Sequence, residues 1–370
     1  MKFLFGALVA TAIVMSGLSG ATAAATDKTI QGAKGTPLTV NGTFQNGKNK
    51  KRKCNGSKCK LLVDQDISAA LCLADGYCVA GSDEARFVQE FTLSGGSLKV
   101  GKRRYLAKTD GKQERKHKAE ELDIEALASD GNGIFAVGSH SFRRLACEKQ
   151  SSRHSVFYYE APRNQKRGGR KPVTVSRFSL DALFRDNRKL APHFDVPLQA
   201  NGLNIEGAAV AGKWLHIGLR APYSAQAPNR GYIVSLDSKA AARGKVRTPK
   251  VHELIFETPG QGIRALEPWG KGLLVLTGNS GPGSGKKSRA CPKLERTYEG
   301  NLATLYYWDG KQPKLQTLAR FAPPDTDWKA EGIMLDPERK KASSDLDVII
   351  FFDGPKNGAP HRYTVARPEG

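Results

Sequence analysis

One short pattern returns five times along the chain, and it constrains the fold more than any other feature. It reads Asp66-Ile67-Ser68-Ala69-Ala70-Leu71, Asp123-Ile124-Glu125-Ala126-Leu127, Asn204-Ile205-Glu206-Gly207-Ala208, Gly262-Ile263-Arg264-Ala265-Leu266 and Lys329-Ala330-Glu331-Gly332-Ile333. The starts lie 57, 81, 58 and 67 residues apart. The third residue of each is polar and its neighbours are small or apolar. Each copy is followed, across a turn bearing Gly or Asp, by an apolar run that ends on a polar residue: Asp83, His140, Arg220, Asn279 and Asp353. The distance from first to second polar residue is 15, 15, 14 and 15 residues in the first four copies and 22 in the last. A fixed period of this size marks a repeat architecture.

Outer hairpins complete the unit. Ser155-Val156-Phe157-Tyr158-Tyr159 precedes Val173-Thr174-Val175-Ser176-Arg177-Phe178, and Leu305-Tyr306-Tyr307-Trp308 precedes a turn at Asp309-Gly310. β-branched and aromatic runs around such turns are hairpin signals. Four antiparallel strands per unit is the composition of a β-propeller blade. The expected fold is all-β: a β-propeller of four-stranded antiparallel blades, with five blades favoured and six as the alternative if residues 123–204 hide another. That long unit also holds a helix-like stretch at residues 180–190. The last unit shows only three strands, so an N-terminal strand, near residues 37–40 or 61–63, is expected to supply the fourth and hide an open edge.

The D-I-E-A-L, N-I-E-G and A-E-G-I units, with Gly218-Leu219-Arg220 and Phe351-Phe352-Asp353-Gly354 behind them, resemble the bacterial family known as domain of unknown function 3616. The resemblance covers residues 60 to 367 and extends distantly to phytase-like esterase propellers. It implies an exported propeller and no established activity. Ser68 and Arg264 stand where other copies carry Glu, so a ring of identical carboxylates is not expected.

Residues 1–25 have the three parts of a secretory signal: Met1-Lys2, an apolar run over residues 3–18, and small residues ending at Ala23 or Ala25. The remaining residues 26–370 are read as one propeller domain, periplasmic or secreted, monomeric and without a membrane span. Six Cys in such a chain suggest disulfides. Cys54 with Cys59 and Cys72 with Cys78 are each spaced for a local bridge, which leaves Cys147 with Cys291. The chain carries 58 Lys and Arg against 36 Asp and Glu, a formal charge of +22. The cations gather at residues 48–53, 112–118, 163–171, 286–289 and 339–341. Such loops attract anionic polymers. Nucleic acid is not the expected partner, because no aromatic-basic interleaving accompanies the charge.

In an antiparallel pair the start of one strand lies beside the end of the next. Glu125 with His140, Glu206 with Arg220, Arg264 with Asn279 and Glu331 with Asp353 should therefore gather at one mouth of the central channel. Convergent ionisable groups in a concave site make a default binding site. Two expectations follow. In the first, the mouth holds an anionic ligand or polymer, with Arg264 as its fixed cation. In the second, the channel carboxylates Glu125, Glu206 and Glu331 hold a hard cation such as Ca²⁺ and the protein is a metal-assisted esterase or phosphoesterase. Other chemistry fails on inspection: residues 281–287 lack the Gly and Ser/Thr of a phosphate loop, and no G-x-S-x-G or H-E-x-x-H occurs.

Overall fold

The structure, a computed structural model, describes residues 34–55, 58–107, 121–143, 146–161, 175–223, 227, 229–246, 249–281, 302–339 and 345–368, with the backbone alone over residues 48–62. The proposed signal (residues 1–25), Cys291 and most of the basic runs lie outside the described residues. All that is described falls in one compact unit.

The chain opens with β1 (Thr36–Pro37) and β2 (Thr39–Asn41), followed by a two-stranded ribbon of β3 (Gln45–Asn55) and β4 (Lys58–Val63). Five four-stranded antiparallel blades follow. Blade one is β5 (Ile67–Cys72), β6 (Cys78–Ser82), β7 (Phe87–Ser94) and β8 (Ser97–Tyr105). Blade two is β9 (Ile124–Ser129), β10 (Gly133–Gly138), β11 (Val156–Glu160) and β12 (Val175–Phe178). Blade three is β13 (Asn204–Ala211), β14 (Trp214–Ala221), β15 (Arg230–Asp237) and β16 (Lys250–Ile255). Blade four is β17 (Gln261–Trp269), β18 (Gly272–Asn279), β19 (Ala303–Trp308) and β20 (Gln316–Phe321). Blade five is β21 (Lys329–Leu335), β22 (Asp345–Asp353), β23 (His361–Ala366) and β1.

The innermost strands form a closed ring: β5 packs on β9, β9 on β13, β13 on β17, β17 on β21, and β21 returns to β5. The protein is therefore a five-bladed β-propeller, and the described residues between 123 and 204 form no sixth blade. The length of that unit comes from an insert: α1 (Asp181–Asp186) and α2 (Ala191–Phe194). The helical stretch expected at residues 180–190 thus ends early, and Pro192 sits in the first turn of a second helix. Leu180, Leu183, Phe184, Leu190 and Phe194 bury against Phe135, Leu215 and Ile217 of blades two and three.

The core lies between blades. One cluster joins blades one and two (Val79, Val88, Ile124, Leu127, Ile134), another joins blades three and four (Ile233, Leu254, Ile263, Val275, Trp308), and a third joins blades five and one (Ile67, Phe91, Met334, Ile349, Phe351). Each fully buried Leu, Ile, Val or Phe contributes about 1.5–3 kcal/mol relative to exposure. The close approach needs small residues. A Cβ added at Gly218 would sit 2.6 Å from Ile263 Cγ2 of the next blade. Inner strands such as β6, β10 and β18 are buried on both faces, which is why they read as unbroken apolar runs.

The N-terminal segment closes the ring. Thr36 and Pro37 pair with Arg362 and His361 as the outer edge of blade five. Two residues later the chain pairs parallel with blade one, Thr39 with Ser97 through Asn41 with Lys99. One short segment thus stitches the last blade to the first, and Leu38, between the two strands, is buried. Leu61–Val63, the other candidate for this role, belongs to the ribbon. Cys72 and Cys78 are bonded across the first inner hairpin. Cys54 and Cys59 face each other across the ribbon, with their side chains outside the described residues. Cys147 is disulfide-bonded to a partner outside the described residues.

Removing residues up to Asn41 should expose the edges of β23 and β8 and lower the melting temperature by several degrees, since 1 kcal/mol shifts a domain of 150–250 residues by roughly 2–4 °C. Calorimetry and size exclusion check this; an unchanged melting point would show that the closing strand is dispensable.

Candidate functional site

The five polar repeat residues share one backbone feature. In each inner hairpin the register slips at that residue, and in blade three it slips a second time at Arg220 on the facing strand. Ile67 faces Ser82 while Ala69 faces Gly81, which leaves Ser68 unpaired. Glu125, Glu206, Arg264 and Glu331 are left out in the same way by their ladders. Each is the extra residue of a β-bulge, and a bulge re-aims its side chain out of the strand's ordinary alternation. Five bulges at one height bring these residues to one end of the channel.

Three of them, with Arg220, form an ion-pair ladder across three blades. Arg220 Nη1 lies 2.6 Å from Glu206 Oε1, and Arg264 Nη1 lies 2.8 Å from Glu206 Oε2. Arg264 Nη2 pairs with Glu331 Oε1, and Arg220 Nη2 donates to the Gly281 carbonyl. Arg264 is buried, which pulls its guanidinium down to about 10 against the opposing pull of Glu206. Gly262 permits this crowding: an added Cβ would lie 2.1 Å from the Arg220 carbonyl oxygen. Two guanidiniums and two carboxylates balance, so the ladder is neutral.

The rest of the mouth is acidic. Asp83, at the end of β6, faces Glu125, Asp66, Asp123 and Asp353; burial and then these four charges push its carboxyl well above the usual carboxylate range. Its Oδ1 is shut off from solvent and has no hydrogen-bond partner. Asp66 bridges Asp353 in the backbone, linking blades one and five. Burial alone would raise Asp353, but Lys329, whose Nζ is 2.6 Å away, holds it below the usual range. Arg153 binds Asp123 at 2.9 Å and also pairs with Glu121. With every carboxyl ionised, the five acids exceed Lys329 and Arg153 by three charges. Asn204 Oδ1 is a second buried acceptor without a partner at the start of an inner strand. Among the described residues no group of three or more His, Cys, Asp or Glu could hold a metal ion.

One of the residues expected at the mouth goes elsewhere. His140 has φ +54, which turns its side chain away from the bulged Glu125. Its ring lies beside His154 and Phe184; Nδ1 contacts the Gly138 carbonyl at 2.9 Å and Nε2 accepts from the Leu180 amide at 3.2 Å. It anchors the helical insert as a neutral imidazole. Asn279 caps a turn, its Oδ1 accepting from the Gly281 amide at 2.8 Å. Asp66 and Asp123 were not among the expected site residues, although each stands two places before the polar repeat position.

Burial lowers His140 to about 4 from 6.5. The unfolded chain therefore takes up a proton near pH 6.5 that the folded chain refuses, and stability falls as pH drops from about 6.5 to about 4. Its share is about 3 kcal/mol at 1.36 kcal/mol per unit. Urea titrations at pH 7.5 and 4.5 should show a smaller acid loss for His140→Gln than for the parent. Arg264→Ala should lower stability by about 3–5 kcal/mol, because it strands Glu331 and leaves Glu206 with Arg220 alone; a melting curve within a degree of the parent would show that the ladder is ornamental.

The family described as "Protein of unknown function (DUF3616)" matches residues 66–158 and 144–365. No curated protein matches the sequence. Among solved structures, similar chains include the β-propeller domain of Myceliophteria thermophila Cps50 (Swd1), at 12% identity over 82% of this chain and 98% of that one, TM-score 0.34. A luciferin-regenerating enzyme is 13% identical over 84% of this chain and 81% of its own, TM-score 0.37. The chain spans 57% of the length of a Kuenenia stuttgartiensis hydrazine synthase chain, with 79% of its own residues, 12% identity and TM-score 0.34. None of these likenesses bears on activity. The family match runs through all five blades, from the bulge of the first inner strand to the last strand of the fifth, and the chain belongs to this family of unknown function.

Proposed function

We propose that this propeller binds a cationic group at the acidic half of its channel mouth. The observation that carries the reading is Asp83: a carboxyl oxygen closed off from water, without a hydrogen bond, facing four other acids. A carboxylate oxygen shut off from solvent without a hydrogen bond, among other acids, disfavours the charged form. A bound cation would offset that cost and return Asp83 to its charged form. The carboxylates are spread around the mouth and not drawn into one coordination sphere. An ammonium or guanidinium, with several N–H donors on a larger body, suits that spread better than a bare metal ion. The anion expected from the sequence requires a free Arg264, and both of its terminal nitrogens face carboxylates. The metal-assisted hydrolase requires Glu206 and Glu331 as ligands, and both are held by arginines.

Export of the chain belongs to the same proposal. The bonded Cys72 and Cys78 support it, since disulfides persist in oxidising compartments.

Thermal shift at constant ionic strength and pH 8 tests the site. Butylammonium and methylguanidinium should raise the parent's melting temperature; at about 100 times Kd a ligand adds about 2.7 kcal/mol. Asp83→Asn should melt a few degrees above the unliganded parent, because ionising a carboxyl whose folded pKa is raised destabilises the fold as pH rises. It should also lose the ligand response. An equal response in parent and variant would refute the site. A response to CaCl₂ alone would replace the organic cation with a metal.

A further inference from the structure

The anion-attracting charge of this chain has a second place to act, on the outer side of blade one. A cleft of about 560 Å³ lies between the start of the ribbon and β8. Thr43 and Gln45 line one side, and Lys102, Arg103 and Tyr105 line the other. The size is that of an ordinary small-molecule site. Its lining includes two cations and no acid.

The cleft is built and held. Gln89 is buried at its base and ties the walls together: its Nε2 donates to the carbonyls of Gly101, at 3.1 Å, and Thr43, at 3.3 Å, and its Oε1 accepts from the Gln45 amide at 3.0 Å. The register of β7 and β8 slips here. Gln89 faces Arg103 and Phe91 faces Val100, so Gly101 and Lys102 together oppose Glu90. That bulge lets two consecutive residues, Lys102 and Arg103, line one cleft, which an unbroken strand would send to opposite faces. Arg103 is set in place before any ligand arrives. Its Nη1 donates to Tyr105 Oη at 3.1 Å, and its guanidinium lies 5.5 Å from the Phe87 ring centre and 5.7 Å from that of Tyr105. Neither cation forms an ion pair with a described residue, whereas the next residue, Arg104, is taken by Glu90 at 2.7 Å.

We propose that this cleft binds a phosphate or sulfate ester. A planar guanidinium and an adjacent ammonium suit a tetrahedral oxyanion, the first by paired N–H donors and the second as a point charge. The half-exposed Tyr105 ring offers an apolar face to the carbon body that carries the ester. The site stands apart from the channel mouth and does not rest on the reading of Asp83.

Because the chain is strongly basic, the test must separate a site from diffuse attraction. Isothermal titration of the parent with glucose 6-phosphate and with glucose 6-sulfate, at fixed ionic strength and with glucose as the neutral control, should give saturable one-to-one binding of the esters alone. Lys102→Gln and Arg103→Gln should each weaken it at least tenfold. Lys99→Gln removes an exposed cation of the same strand outside the cleft and should leave it unchanged. Flotation with phosphatidate vesicles distinguishes a lipid source of the same ester: vesicle binding with the same pattern of losses, and none to the sugar esters, would keep the site and assign it to a lipid. An equal loss in all three variants, or none at Arg103, would overturn it.

Discussion

An antiparallel ladder accepts an extra residue only by leaving it unpaired and bending the strand around it. In this propeller that event happens once on every innermost strand, and always at the polar residue of the repeat. Without it Glu206, Arg264 and Glu331 would alternate with apolar neighbours and be driven into the interblade core, where a charge has no solvent. With it they leave the core and meet across three blades. Gly207, beside one bulge, and Gly218, opposite it, then let the next blade close on the space. Blade packing, the neutral ladder and the acidic mouth all depend on this slip.

The neutral ladder and the acid cluster do different work on one ring. A fully paired set of buried charges specifies geometry while adding little net stability, because desolvation nearly offsets attraction. Arg220, Glu206, Arg264 and Glu331 are such a set, and they align blades three, four and five. At the bulge of blade one a neutral hydroxyl takes the place of a charge: Ser68 donates to the Asp66 carbonyl at 3.3 Å. Asp83 lies on that side. An acid with one oxygen shut off from solvent and unbonded, facing four other acids, is a cost that structure alone does not require. Its presence beside a satisfied ladder is the argument for a ligand.

Much of this was legible in the sequence. The spacing of Asp66, Asp123, Asn204, Gly262 and Lys329 showed five units and placed a polar residue of each at one end of an inner hairpin. A three-stranded last unit called for an N-terminal strand, and Thr36–Pro37 provides it. What was hidden depends on register and backbone sign. The partners of Arg264 follow from which carboxylates the bulges turn towards it. His140 follows from a left-handed φ that no motif announces. Asp66 and Asp123 had a readable signal, because each stands two places before the polar residue of its repeat and residues two apart on a strand share a face. The cleft on blade one needs a bulge in β8 and the placement of the ribbon, neither of which has a residue signature.

The distribution of charge also orders the two proposed sites. A chain of +22 presents a positive field beyond its surface, screened over about 8–10 Å at physiological ionic strength. Anions are drawn by that field, and Lys102 and Arg103 stand exposed within it. A cation approaching the mouth is opposed by the field until it comes within a screening length of Asp83, Asp353 and Glu125. Long-range attraction therefore favours rapid capture of an anion at the rim of blade one. Recognition at the mouth must come from short-range contacts, and dissociation there is governed by how completely those contacts satisfy the Asp83 carboxyl. Opposite charge preferences can coexist in one small propeller because a bulge in the outermost strand β8 gathers Lys102 and Arg103, while bulges in the five inner strands gather the charged residues of the channel.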